Sequence, residues 1–309
     1  MSLSLSQMIK YAPLAIALLI LGVGSLFIPW ENVTPYLLKL SPESYVFILL
    51  AGIVYYLSRV VRYYFMLHVL NTPRPFIDTL IAYFVAQPAS LVPGGEAYKT
   101  ITLKKHANVH ISNSLPIVFL QSFTESIGLV LLALVSTLWL HEYAFIILAV
   151  FSIYIIILIL ARTRRLALKH HSIINKLPFI TVTKNKILSF INKNKVLLSG
   201  KNLVVLIATG LVPSLLAAFV LYYLAINIGI KLSFAEAVIV LSIPAVLQNI
   251  SFLPGGLGIN EQSSIGILLI IGASLPAAVA LTIMIRLVTL GLGILLGTIT
   301  IFLVRLISR

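Results

Sequence analysis

The sequence has no cysteine, which excludes disulfides, thiolate metal sites and thiol nucleophiles. Acidic side chains are nearly as scarce. Eight Asp and Glu stand against 22 Lys and Arg, and charged residues make up 10% of the chain, where a soluble domain carries about 25%. No His, Asp and Glu cluster has the spacing of a metal site. No nucleophile–base arrangement or phosphate loop of the nucleotidase type is present either. No catalytic residue, metal or cofactor is therefore expected, and the chain does not read as an enzyme. A composition shift that would mark a separate soluble domain is also missing, so residues 1–309 read as one membrane domain.

What the chain has in plenty is apolar sequence: 60% hydrophobic residues and a mean hydropathy of +1.09. A net charge of +14 would point to nucleic acid in a soluble protein. Here the placement of the charges points to a membrane face, and no nucleic-acid partner is expected. A spanning helix needs about 20 apolar residues. Six stretches meet that length: Tyr11–Ile28, Tyr45–Leu67, Leu115–Leu140, Tyr143–Ala161, Leu203–Ile228 and Ala277–Val304. The first has no small-residue cleavage site before it and reads as a span, not a removed signal.

Two further apolar runs are broken by Pro-Gly-Gly, at Pro93, Gly94, Gly95 and at Pro254, Gly255, Gly256. Proline donates no amide hydrogen and glycine adopts backbone angles that other residues avoid, so each step ends a helix. The first break joins Phe76–Val92 to Glu96–Ala107, and the second joins Phe234–Leu253 to Ile259–Ile271. The Phe76–Val92 arm of 17 residues reaches about 25 Å, short of a hydrocarbon core about 30 Å thick, and its partner is shorter still. The Phe234–Leu253 arm is longer and could cross, but both pairs are read as re-entrant hairpins. The expected fold is an all-α polytopic membrane protein with six spanning helices and two re-entrant helical hairpins.

Charge supports this arrangement. With both hairpins re-entrant and both termini in the cytoplasm, all of the 22 Lys and Arg except Lys39, Lys231 and Arg286 fall on or near the cytoplasmic side. That is the bias of the positive-inside rule. Arg162–Lys201 contributes ten of these and no acid. It reads either as a solvated connector or, through Ile187, Leu188, Ile191 and Leu198, as an amphipathic helix on an anionic cytoplasmic leaflet.

The two Pro-Gly-Gly sites also anchor a repeat. Aligning them pairs Ser90 with Ser251 and Glu125 with Arg286, while Phe76-Ile77-Asp78 resembles Phe234-Ala235-Glu236. Repeat one covers about 43–140 and repeat two about 202–305; the span and basic loop of about 143–201 separate them. The span count puts the hairpins in opposite orientations, an inverted repeat of the kind that places substrate near the midplane of many transporters.

Few residues are left to carry chemistry. Glu31, Glu43 and Glu142 lie in links, while Asp78 and Glu236 sit where an acid caps a helix start. Glu96, Glu125 and Glu261 remain. Glu125 and Arg286 both lie deep in their spans, where isolated ions are costly and face inward. They read either as a salt bridge that pins two helices, or as an arginine fork for phosphate oriented by Glu125. Gln121 shares the helix face of Glu125. Glu96 and Lys99 follow the first break, as Asn260 and Glu261 follow the second, where they either cap the second arm or hold an anion.

The combination of LVPGGEAYK, a mid-span Glu125, FLPGGLGINE and a mid-span Arg286 resembles the flippase-like membrane domain of the lysylphosphatidylglycerol synthetase family, over nearly the whole chain. The resemblance implies movement of a phospholipid or polyprenyl-phosphate-linked lipid between leaflets, with Glu96, Lys99, Glu261 and Arg286 at the family's functional positions. Ser126 and Gly128 depart from the family pattern, in which Arg and then Asp follow the acid. The aminoacyl-transferase domain is not part of this sequence, so lipid aminoacylation is not expected. The alternative reading is a secondary transporter for a small anion, built on the same repeat.

Overall fold

The computed structural model describes residues 30–91, 95–153, 155–156, 193–194, 196–251 and 254–307. All the regular structure among them is helical. A short helix, α1 (Trp30–Leu37), precedes the first long one, α2 (Pro42–Val69). The first broken pair follows as α3 (Phe76–Val85) and α4 (Tyr98–Ala107), joined through 3-10 turns at Gln87–Leu91 and Gly95–Ala97. Next come α5 (Ile111–Ser136), α6 (His141–Ile153) and α7 (Gly200–Ile228). The second broken pair is α8 (Phe234–Ser251) and α9 (Ile259–Ile270), with a turn at Pro254–Gly256. Last are α10 (Leu275–Arg286) and α11 (Leu292–Ile307), continuous through a π-helical turn at Leu287–Gly291.

Four of these are long and apolar enough to cross a membrane: α2, α5, α7 and the α10–α11 rod of Leu275–Ile307. Of the two other expected spans, Tyr11–Ile28 lies outside the described residues and Tyr143–Ala161 is described only in part, as α6. The basic stretch Arg162–Lys201, with its amphipathic reading, is also largely outside them. The order of long helix, broken pair, long helix occurs twice, as α2–α5 and as α7–α10.

Local chemistry sets the helix ends. Ser41 accepts the Ser44 amide at the start of α2, with Pro42 in the first turn and Glu43 complementing the helix dipole. Gly229, at φ 85°, closes α7 in the left-handed conformation that glycine takes without a Cβ penalty. The arm α3 is shorter than the sequence led us to expect. Pro88 has no amide to donate and disfavours helix for Gln87, so the arm tightens into a 3-10 turn well before the glycines. In contrast, α1 was read as a plain link. Its Val33, Tyr36 and Leu37 share one face and pack on Val279 and Ala280 of α10.

The long helices are apolar on the outside as well as in most of the core, unlike those of a soluble bundle, and a few polar and charged side chains are enclosed among them. On α2, Val46, Leu50, Val54, Leu57 and Val61 form an exposed stripe at helical spacing. The opposite face of the same helix buries Tyr56, Val60, Arg62, Tyr63 and Met66. Such a surface is stable against lipid tails, and it places Arg59 and Arg62 of α2 in the interior.

Candidate functional site

Glu125 lies mid-way along α5 and faces two arginines one helical turn apart on α2. The Arg59 guanidinium grips it with both prongs, Nε to Oε1 and Nη2 to Oε2, each at 3.0 Å. Arg62 donates Nη1 to Oε1 at 2.7 Å and Nη2 to the Thr124 hydroxyl at 2.6 Å. Gln121, one turn before Glu125, donates to the Arg59 carbonyl at 3.2 Å. Bidentate, charge-assisted contacts of this kind give both strength and fixed geometry. Arg62 is 1% exposed, so its charge depends on this partner.

This corrects one expectation: Glu125 does not pair with Arg286. Arg59 and Arg62, an arginine doublet at i, i+3 within an apolar run, hold it instead. Close packing supports the cluster: a Cβ on Gly210 of α7 would lie 3.1 Å from both Arg62 Nη2 and the Thr124 carbonyl oxygen.

At the first break, Pro93 and Gly94 lie outside the described residues, but Gly95 is seen. Any Cβ there would collide with the Ala89 carbonyl, so the chain can double back only with glycine at this position. Glu96 then pairs with Lys99, and the Lys99 ammonium sits 4.7 Å from the centre of the Tyr83 ring. Lys99 is buried, whereas Glu96 is 43% exposed. The start of α4 has no side-chain cap, so Glu96 serves Lys99 and not the helix terminus.

At the second break, Gly255, Gly256 and Gly258 have φ of 57°, 67° and 85°, all in the left-handed region. Glu261 does two things. Its Oε2 accepts the Gly258 amide at 2.7 Å, satisfying a free donor at the start of α9, and its Oε1 accepts Arg286 Nε at 2.6 Å. Arg286 also donates Nη2 to the Gly255 carbonyl at 2.7 Å. Asn260 ties the two arms together through Gln248 Oε1 at 2.8 Å. Directly after Arg286 the rod widens into its π turn, where Tyr56 donates to the Thr289 carbonyl at 2.5 Å. Single π turns of this sort recur at functional sites. The other two acids behave differently from each other: Glu236 accepts from the Ser233 amide and hydroxyl as an N-terminal cap, whereas Asp78 makes no cap bond.

The two breaks meet. The Gln87–Leu91 turn packs on the Pro254–Gly256 turn, and a Cβ on Gly255 would lie 3.3 Å from the Ser90 carbonyl oxygen. Arg286, Glu261 and Asn260 are tied to the second break, and Glu96 and Lys99 directly follow the first, whereas Gln121 and Glu125 are held on α5 by Arg59 and Arg62 of α2. In the first half, Arg59, Arg62 and Lys99 face only Glu96 and Glu125, which leaves one positive charge over. Arg286 and Glu261 balance each other. Among the described residues no group of three His, Asp or Glu is placed to hold a metal ion.

The model of one protein family, the lysylphosphatidylglycerol synthase TM region, matches residues 11–297. The chain belongs to that family. The lysylphosphatidylglycerol synthase TM region thus takes in α1 to α10, both broken pairs and every charged residue just described. A search of curated proteins returns no match. Membership makes this a multi-pass, lipid-related membrane protein, and the apolar exterior of α2 agrees with it.

Proposed function

We propose that this protein is a flippase-type transporter that moves a phospholipid or a polyprenyl-phosphate-linked lipid between leaflets. The headgroup phosphate binds beside the hairpin tips and the tails stay in the bilayer. The reading takes both broken pairs as re-entrant hairpins of an inverted repeat that enter from opposite faces. Both termini are cytoplasmic, and the basic loop lies against an anionic leaflet. Arg286 is the phosphate ligand: among the described residues its Nη1 makes no hydrogen bond, while Nε and Nη2 hold the fork in place. Lys99 supplies a second cation, and Asn260, Gln121 and the three carboxylates orient the cations or carry protons.

The observation that carries this reading is the contact of the two breaks around buried charge, inside helices whose outer faces are apolar. Non-helical backbone at membrane depth is tolerated where protein or a water-filled cavity surrounds it, and intramembrane charge marks substrate paths. A polar centre with one surplus cation accepts an anionic headgroup, and an apolar exterior lets the tails remain outside.

Reconstitution tests the proposal. Vesicles holding the protein are loaded with fluorescent phospholipid or with polyprenyl-phosphate lipid, and movement to the far leaflet is followed by quenching. Transfer of at least one class, lost in Arg286→Gln protein that still folds, is the expected result. Uptake of a soluble anion with no movement of any lipid class would assign the same centre to anion transport and end the lipid reading.

A further inference from the structure

Seven buried side-chain polar atoms among the described residues have no hydrogen-bond partner in the protein. Five of them belong to the first half: Arg62 Nε, Tyr63 Oη, Arg74 Nε, Tyr83 Oη and Gln87 Nε2. Tyr63 and Tyr83 are each 1% exposed and Gln87 is 4% exposed. Their grouping matters. The Tyr63 and Tyr83 rings meet edge to face with centroids 5.9 Å apart, and Gln87 lies four residues after Tyr83, in the 3-10 turn that ends α3. Lys99, which spends one N–H on Glu96, lies over the Tyr83 ring. Buried polar groups are nearly always paired, so several unpaired donors in one place call for a ligand that accepts.

We infer that Tyr63, Tyr83, Gln87 and Lys99 form an anion subsite in the first half, apart from Arg286, that takes the oxygens of a phosphate or phosphodiester. Two independent features point the same way. The side chains have donors to spare, and the Arg59–Arg62–Glu125 cluster on the helix that carries Tyr63 holds one more positive charge than negative. A neutral hydroxyl compound would satisfy the first feature and leave the second unmet. The inference relies on the transport reading only for how the anion arrives; binding itself is a separate property. With two anion subsites, one at each hairpin, a headgroup passes from one to the other without crossing bare hydrocarbon.

The test is isothermal titration of the purified full chain in neutral detergent. The probes are inorganic phosphate, dihexanoyl phosphatidylglycerol as a short phosphodiester lipid, and dihexanoylglycerol as the same lipid without its phosphate. Saturable binding of phosphate or of the phosphodiester is expected. The double variant Tyr63→Phe/Tyr83→Phe removes two hydroxyls that bond to no protein atom, so it folds, and affinity falls at least tenfold. Tyr45→Phe, at the exposed start of α2, leaves affinity unchanged. Comparable affinity for free phosphate names phosphate as the source of the anion, and a tenfold preference for the phosphodiester names a lipid headgroup. Equal binding of dihexanoylglycerol, binding indifferent to the double variant, or no binding at all overturns the inference. Binding without lipid movement in vesicles would sink the transport reading alone. Lipid movement without phosphate-dependent binding would sink the subsite alone.

Discussion

Each carboxylate of the interior is joined to arginine or lysine, but the pairs differ in what they support. Glu125 is the sole acidic partner of two arginines, one of them fully enclosed. Removing one member of a buried pair costs about 3–5 kcal/mol, because the other charge is stranded. Glu125→Gln should therefore lower thermal stability in detergent sharply, and more than Glu96→Gln, whose carboxylate is 43% exposed. Equal melting temperatures for the two variants would show that Arg59 and Arg62 find other partners. Glu261 is the contrasting case. It still caps α9 through Gly258 when Arg286 is replaced, so Arg286→Gln should keep most of the stability while losing transport. A collapse in stability equal to that of Glu125→Gln would make Arg286 a purely structural residue. The sequence alone made Glu125 and Arg286 visible as deep charges. It did not show their partners, because those depend on which helices are neighbours, and α2 contacts α5 while Arg286 turns back to its own hairpin.

The elements were more legible than the contacts between them. Hydropathy outlines α2, α5, α7 and the α10–α11 rod to within a few residues, since each needs a long apolar run. Both breaks were visible too, as Pro-Gly-Gly steps that no helix continues through. Pro88 was the sequence signal for the 3-10 turn that shortens α3. Sequence pattern does not carry the packing of α1 or the π turn after Arg286, which arise from tertiary fit, such as Tyr56 reaching the Thr289 carbonyl. The second tip offers a direct test at this scale. Gly255 stands at φ 57°, where an L side chain costs about 1–2 kcal/mol, and its carbonyl holds Arg286. Gly255→Ala also presses on the Ser90 carbonyl across the tip contact. The expected result is a modest loss of stability with a much larger loss of transport. Gly272→Ala is the control, at φ 99° but in open space at the far end of α9. If both variants retain transport equally, the meeting of the tips has no part in function.

At the scale of the whole molecule the order of elements repeats, and the family match takes in both broken pairs. Charge is the argument that the two hairpins enter from opposite faces. Lys104 and Lys105 close α4 beside the region that leads into α5, whereas Lys231 stands just before α8. If the hairpins are oppositely directed, these two positions lie on opposite sides of the membrane, with Lys104 on the side of the basic loop. The chain has no native cysteine, so single cysteines report without background. In right-side-out cells, Lys231→Cys should react with a membrane-impermeant maleimide, and Lys104→Cys should react only after the membrane is opened. Labelling of both from outside, or of neither, would place both hairpins on one face and remove the inverted repeat. A transporter that alternates between faces through two equivalent halves requires that repeat, so this experiment bears on the mechanism as directly as on the topology.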